Sequence, residues 1–271
     1  VSTAAELSKT GRYLFHVLGT NAKSINTAQQ QIHQDGHYGL SWAEHTRNPN
    51  RLPYAENVVN LIIIQDYSIP LAEMLRVLTP GGAIVVSNPE LLPREALSHA
   101  EIETPQEQGN FTVAAKRWPM AMDVWSHPRH GADGNAVSSD TLVGPPERVR
   151  WIAAATSEVE GMVTSGGRNF YGGILARDSF NGLRLWHRNL ANSEENNPAD
   201  FVLPRLPSNG SRPIASQQHL FALVKGRPVT LNAATGEIIA KWSDMTSVTN
   251  LLHDGNRVIA TDANTVRAID P

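Results

Sequence analysis

Hydrophobic residues change their spacing part-way along the chain. Up to about residue 88, short apolar runs alternate with segments whose apolar residues recur every three or four positions, a pattern typical of strands alternating with helices. The clearest helix is predicted over residues 22–34, where Ile25, Ala28 and Ile32 fall on one face. The β-branched run at residues 58–64 predicts a strand buried on both faces. The predicted order is β-α-β-β-α-β, a doubly wound α/β layer.

A second helix and its exit turn complete this first region. Pro70 suits the first turn of a helix, and an apolar stripe follows it at Leu71, Met74, Leu75 and Leu78. The run Thr79–Gly82, Thr-Pro-Gly-Gly, predicts the end of the helix, and residues 83–88 predict the next buried strand.

The stretch EMLRVLTPGGAIVVS, with LPYAENVVNLIII before it, resembles the class I S-adenosylmethionine-dependent methyltransferase fold over about residues 4–90. The resemblance implies a glycine-rich cofactor loop and an acidic residue after the second strand. The loop pattern is not found in this chain, and the acidic position reads Leu-Gly-Thr-Asn. We therefore expect a degenerate module, with Asn21 and Asp66 as the candidate residues for a residual cofactor site or as turn residues.

From Arg150 onward the pattern becomes that of short strands separated by polar turns. Three copies of one unit can be aligned, and two of them contain a D/N-x-x-x-G turn, at Asp178–Gly182 and Asn232–Gly236, followed by Trp186 or Trp242. A four-strand unit that recurs after about 40–50 residues is typical of a β-propeller blade. The third copy reaches its turn position at Asp270.

The runs TLNAATGEIIAKW and ARDSFNGLRLWHR resemble the PQQ-like (quinoprotein-type) propeller repeat. The resemblance implies structural roles for the glycine and the tryptophan, and it implies nothing about a bound quinone. The expected fold is an α/β Rossmann-like module at residues 1–90, a junction at 91–147, and all-β propeller blades, about three in number and therefore incomplete, at 148–271.

The junction contains the most suggestive polar segment, DVWSHPRHGADGNAVSSDTLVGPP. His127 and His130 are three positions apart, and Asp133 could join them as a third metal ligand. Pro128 argues against a helix there, so the ligands would have to converge from a loop. The alternative is structural, with Asx turns at Asn135 and Asp140 and histidines that bond to the backbone.

Charge and composition exclude several function classes. A net charge of −3 and 23 Lys and Arg against 26 Asp and Glu give no basic surface for nucleic acid. No apolar run is long enough to span a bilayer, and the lack of cysteine removes disulfides and thiolate chemistry while leaving the compartment open. The chain begins with Val, so we expect a processed product or a fragment.

As a whole, the chain resembles large, exported multidomain proteins of planctomycete-type bacteria. That resemblance implies a periplasmic or otherwise extracytoplasmic location, and the incomplete propeller predicts further blades from another chain or from the rest of a cleaved precursor. The expected function is a scaffold for ligand, cofactor or partner binding. The alternatives are a methyltransferase with an accessory propeller, and a quinoprotein-type or carbohydrate-active enzyme completed by other chains. Whether the protein is an enzyme stays open, and a metal ion, S-adenosylmethionine and PQQ are the cofactors considered.

Overall fold

A computed structural model describes most of the chain, namely residues 11, 13–48, 50–65, 69–145, 147, 149–153, 162–171, 175–188 and 213–270. Most of the regular secondary structure in the described residues is β-strand, and there are few helices. They divide into two compact units. The first comprises Val1–Glu56, Leu61–Leu78 and Ala83–Ala114, and the second comprises Asn57–Asn60, Thr79–Gly82 and Ala115–Pro271. None of the described helices is both long and apolar enough to cross a membrane.

The N-terminal elements follow the predicted β-α-β-β-α-β order. In sequence they are β1 (Phe15–Gly19), α1 (Ala22–Gln34), β2 (Ser41–His45), β3 (Val59–Ile64), α2 (Leu71–Val77), β4 (Leu78–Val86), 3-10 turns at Pro89–Leu91 and Arg94–Leu97, β5 (Gln106–Gln108) and β6 (Phe111–Ala115). Strands β1 and β2 form a parallel pair, and a separate sheet has the order β3-β4-β6-β5.

Helix α1 forms over the residues that its periodicity predicts. The Asn21 side chain accepts a hydrogen bond from the Ser24 N–H at 3.0 Å, which satisfies one of the unpaired donors of the first turn. Ile25, Ala28 and Ile32 are buried and pack with Ala43 of β2. The apolar face of the helix therefore covers one face of the parallel pair.

Strand β4 differs from the prediction. The helix ends at Val77 and the strand begins at once, so the Thr-Pro-Gly-Gly run lies inside β4 rather than in a turn before it. Gly81 has φ +75°, its N–H donates to the Lys116 carbonyl, and the Lys116 N–H donates to the Gly82 carbonyl. This is a β-bulge of the type that begins with a left-handed glycine. The bulge keeps the chain extended where the sequence alone indicates a stop.

A partly buried charge pair fixes the loop before β3 to helix α2. Arg76 donates to both Glu73 carboxylate oxygens, at 2.8 and 2.7 Å, and to the backbone carbonyls of Tyr54 and Leu52. The Leu52 N–H donates to Glu73 in return. These hydrogen bonds, chiefly those from Arg76, hold the pKa of the Glu73 carboxyl below its usual range.

The second unit contains three successive antiparallel sheets. Their strands are β7 (Met162–Ser165), β8 (Arg168–Tyr171), β9 (Leu175–Asp178) and β10 (Arg184–His187); β11 (Ile214–Ala215), β12 (His219–Val224), β13 (Arg227–Asn232) and β14 (Ile238–Lys241); and β15 (Asn250–His253), β16 (Val258–Thr261) and β17 (Val266–Ile269). The orders are β10-β9-β8-β7, β11-β12-β13-β14 and β15-β16-β17. We call these the three blade sheets, after the repeat predicted for them, and the described residues do not form a closed propeller.

The sheets are held together by two apolar clusters. The first joins side chains of the first two sheets, among them Phe170, Trp186 and Leu231. The second joins the second sheet to the third, through residues such as Phe221 and Val258. Neighbouring residues on the middle sheet, Leu220 and Phe221, belong to different clusters, as the alternation of side chains along a strand requires.

The described residues 149–153, which precede the first blade sheet, have no regular secondary structure. Trp151 instead lies against the Asp178–Gly182 turn, with its indole N–H 3.3 Å from the Ser179 carbonyl. The predicted domain limits at residues 90 and 147 stay predictions.

Candidate functional site

The candidate site is the junction segment from Asp123 to Asp140, which lies entirely in the second unit. Its first residues bond to one edge strand of each blade sheet. The Thr164 N–H of β7 donates to the Trp125 carbonyl at 2.7 Å, and the Ala215 N–H of β11 donates to the Ser126 carbonyl at 2.9 Å. The His253 N–H of β15 donates to the Nε2 atom of His127 at 3.1 Å. Three consecutive residues therefore tie three sheets together.

His127 is buried, with 6% of its surface exposed, and both of its ring nitrogens have partners. Since Nε2 accepts from a backbone N–H, the neutral ring carries its proton on Nδ1, which lies 2.8 Å from the Ser126 hydroxyl. The hydroxyl in turn donates to the His130 carbonyl. Burial, and then the neighbouring His253 imidazole, lower the pKa of His127. The lone pair that a metal would need is already engaged with a backbone donor.

His130 closes a tight turn with His127. The two residues form an antiparallel bridge through the His127 N–H and the His130 carbonyl, and His130 adopts a left-handed φ of +74°. Its Nε2 atom lies 2.8 Å from the Asp123 carboxylate, and Trp125 packs against its ring at 5.2 Å. Its Nδ1 atom is the only imidazole nitrogen of the two histidines for which the described residues provide no partner.

The Asp123 carboxylate holds the beginning of the segment to its end. It accepts four hydrogen bonds, from His130, the Ser138 hydroxyl and the backbone N–H groups of Val124 and Ser139, each at 2.8 Å. Burial would raise the pKa of Asp123, but these donors together hold it well below its usual range. The carboxylate therefore acts as a structural anchor that stays ionised.

The remaining acidic residues of the segment form turns. Asp133 is exposed and accepts from the Asn135 N–H, while Asp140 accepts from the N–H groups of Leu142 and Val143. The Asx turn expected at Asp140 is present, and the other one is formed by Asp133 rather than Asn135. No group of three His, Asp or Glu side chains that could hold a metal ion occurs in the described ranges. The predicted His127, His130 and Asp133 metal site stays a prediction.

The residues at the expected cofactor position do not fit S-adenosylmethionine. Asn21 uses its side-chain oxygen to cap α1, and Gly19 at the end of β1 offers no side chain. An added Cβ at Gly19 would lie 2.9 Å from the Ile25 side chain, so a carboxylate there would displace a core residue of the helix. Asp66, the other predicted residue, lies outside the described residues.

The sequence did not identify two partners of the junction. His253, whose N–H binds His127, is 126 positions away along the chain, and Thr164 bonds to Trp125 in both directions from 39 positions away. No local pattern marks either residue. The two residues share one feature, which is that each lies on the first strand of its blade sheet.

No protein-family model and no curated protein matches the chain. Among solved structures, the chain is similar to a methyltransferase from Geobacter sulfurreducens, with 11% identity over 44% of this chain and 78% of the other, and a TM-score of 0.32. It is also similar to BamB from Moraxella catarrhalis, with 18% identity over 49% of this chain and 51% of the other, and a TM-score of 0.17. Both likenesses are distant, and neither says anything about function.

Proposed function

We propose that this protein is a non-catalytic binding scaffold. Its β-sheet repeats form a platform for a protein or small-molecule partner, and its α/β unit is a degenerate relative of the methyltransferase fold that no longer uses the cofactor. The scaffold works outside the cytoplasm and as part of a larger assembly, as the resemblance to exported multidomain proteins implies.

The observation that carries this proposal is the bonding of the junction segment. Catalytic and metal-binding groups must present a free lone pair or proton to a substrate or ion. Here the Asp123 carboxylate and the His127 Nδ1 atom bond within the segment, and the His127 Nε2 atom bonds to the third blade sheet. Such bonding favours a structural role for the most polar segment of the chain.

Isothermal titration with S-adenosylmethionine tests the loss of the cofactor. We expect no heat of binding at ligand concentrations up to about 1 mM, because neither Asn21 nor Gly19 can bind the ribose hydroxyls. The variant Asn21→Asp provides a matched probe, since aspartate caps a helix as well as asparagine does and adds the missing carboxylate. Micromolar binding by the unmodified protein would contradict the proposal, whereas binding gained only in Asn21→Asp would attribute the loss of the cofactor to the missing carboxylate.

The location and the assembly are tested separately. Fractionation of the native cells should place the protein in the extracytoplasmic fraction, and native mass spectrometry of the protein purified from that fraction should show a complex heavier than the single chain. Recovery of the protein as a cytoplasmic monomer would contradict this part of the proposal.

A further inference from the structure

His16 is the centre of a buried polar contact in the first unit, on strand β1. Its side chain is 10% exposed, and its ring stacks on the Trp42 ring of β2 with 4.4 Å between the ring centroids. The Tyr54 ring meets it edge-on at 5.6 Å. Val17, the next residue of β1, packs against the apolar face of α1, so His16 lies on the opposite face of the β1–β2 pair. Helix α1 is therefore not part of this contact.

The neighbours of the His16 ring suit its neutral form. The Nδ1 atom lies 2.7 Å from the Tyr54 hydroxyl, and the Nε2 atom lies 3.3 Å from a Glu44 carboxylate oxygen. A carboxylate can only accept, whereas a hydroxyl can donate, so Nε2 carries the ring proton and Nδ1 accepts from Tyr54. The Nε2 atom is buried and has no well-aligned acceptor among the described residues.

A second proton on His16 would disrupt this arrangement. It would go to Nδ1, and the Tyr54 hydroxyl would have to turn its own hydrogen away. Glu44 and Tyr54 are the titratable side chains that the described residues place against the ring, and Glu44 is 57% exposed and poorly aligned with Nε2. Burial therefore lowers the pKa of His16 below its ordinary value of 6.5, and Glu44 opposes this only in part.

Tyr54 connects the imidazole to the loop before β3, which we call the Tyr54 loop and define as residues 52–56. Arg76 and Glu73 of α2 are the charged groups that bond to this loop, through the Tyr54 carbonyl and the Leu52 N–H. The Tyr54 hydroxyl attaches the same loop to β1, through His16. The loop thus has one attachment that depends on the protonation of an imidazole.

We propose that His16 is a pH-sensitive switch, which holds the Tyr54 loop to β1 while the imidazole is neutral and releases the loop when the imidazole is protonated. In the released state the Tyr54 hydroxyl leaves Nδ1 and the charged ring reaches water. The bonds from the loop to α2 remain at the start of the acid range, because the pKa of Glu73 lies below 4.5. This inference does not depend on the proposed scaffold function.

Acid should weaken the closed contact because the open state binds the proton more tightly. In the open state His16 is in water and has the ordinary pKa of 6.5, whereas burial lowers its pKa in the closed state. The contact is therefore complete above pH 6.5 and weakens as the pH falls toward the lower pKa of the closed state.

A nuclear magnetic resonance titration of the full chain measures the proton on His16. The ring signal is assigned from the variant His16→Gln, and we expect it to titrate below pH 6.5. Tyr54→Phe should raise the pKa of His16, because the neutral ring loses its hydrogen-bond donor. Glu44→Gln should lower the pKa of His16, because the protonated ring loses the nearby carboxylate.

The release of the loop is measured separately, on the ring signal of Tyr54 in protein with isotopically labelled tyrosine. The signal is assigned from Tyr54→Phe among the five tyrosines of the chain. A neutral paramagnetic compound in the solvent should broaden it at least about threefold more at one pH unit below the measured pKa of His16 than at about pH 7.5. The broadening should not change with pH in His16→Gln. His33→Gln, which makes the same replacement at an exposed histidine of α1, should behave like the wild type.

Titration of His16 at or above pH 6.5, or shifts of its pKa in the same direction in Tyr54→Phe and Glu44→Gln, would overturn the proposal. Unchanged broadening of the Tyr54 signal while His16 becomes protonated would show that the charge is accommodated without release, and would overturn it as well. So would a His16 ring that takes up no proton before the first unit unfolds.

Discussion

At the scale of single residues, the blade region depends on glycines that no other residue can replace. Gly236 combines a left-handed φ of +70° with an indole ring placed where its Cβ would be. Both constraints act against any L-residue, since the left-handed region costs about 1 kcal/mol and the ring must move as well. Trp186 cannot move freely because its N–H is bonded to Ala233 and its ring is part of the apolar core.

The first prediction compares two glycines with nearly the same backbone conformation. Gly236→Ala should destabilise the blade region by about 3–4 kcal/mol, because it adds overlap with Trp186 to the backbone cost. Gly134→Ala, at φ +68° with open space around its Cβ, should lose only about 1 kcal/mol. Urea unfolding followed by tryptophan fluorescence measures both, and equal losses would show that the ring contact is unimportant.

The second prediction concerns His127 and His130. His127→Ala should destabilise the protein by about 2 kcal/mol, since the half-buried His253 would lose the acceptor of its N–H and a buried imidazole would be removed from the junction. The metal content of the natively purified protein should be the same in the wild type, in His127→Ala and in His130→Ala. A stoichiometric metal that is present in the wild type and lost in both variants would instead establish the metal site that the sequence predicts.

At the scale of elements, local signals predict an element correctly when its stabilising contacts are also local. Helix α1 has its cap at Asn21 and its apolar face within its own 13 residues, so its limits could be read from the sequence. Strand β4 could not, because its Thr-Pro-Gly-Gly run becomes a bulge only through hydrogen bonds to Lys116. The D/N-x-x-x-G turns were predictable for the same reason as α1, since Asp178 and Asn232 bond within four residues.

The third prediction tests the charge pair of α2 by pH. Because the pKa of Glu73 is lowered in the folded state, its contribution is complete above the ordinary value of 4.5 and is lost as the pH falls below that value. Glu73→Gln should cost about 2–3 kcal/mol near pH 7, and the difference from wild type should narrow toward about pH 3. Urea unfolding followed by the helical circular dichroism signal measures this stability difference, since both α-helices of the described residues belong to the first unit.

The exposed Glu95, in the second 3-10 turn, gives the matched control for this prediction. Glu95→Gln should leave the stability within about 0.5 kcal/mol of wild type at every pH. If Glu73→Gln lowered the free energy of unfolding by the same amount at every pH, the Glu73 side chain would contribute through packing and not through its charge.

At the scale of the whole molecule, the fold depends on contacts between residues more than a hundred positions apart. In the second unit, the Asn60 side chain donates to the buried Asp178 carboxylate at 2.8 Å, and the Asn181 side chain donates to the Val58 carbonyl and to Asn60. These bonds join the start of β3 to the first blade turn. The spacing of hydrophobic and polar residues describes the strand and the turn separately. The sequence therefore predicted both elements but not the hydrogen bonds between them.

The last prediction follows from this long-range contact. Asn60→Ala leaves one oxygen of the Asp178 carboxylate without its donor and removes an acceptor from Asn181, which should destabilise the first blade turn by about 1–1.5 kcal/mol. The Phe180 and Asn181 amides, which bond to Asp178, should then exchange with solvent about tenfold faster. The Ala234 and Thr235 amides make the same bonds to Asn232 in the second blade and serve as the internal control, because Asn60 does not bond to that turn. Equal acceleration in both turns would indicate a general loss of stability, and no acceleration in either would show that the contact between β3 and the first blade does not stabilise the turn.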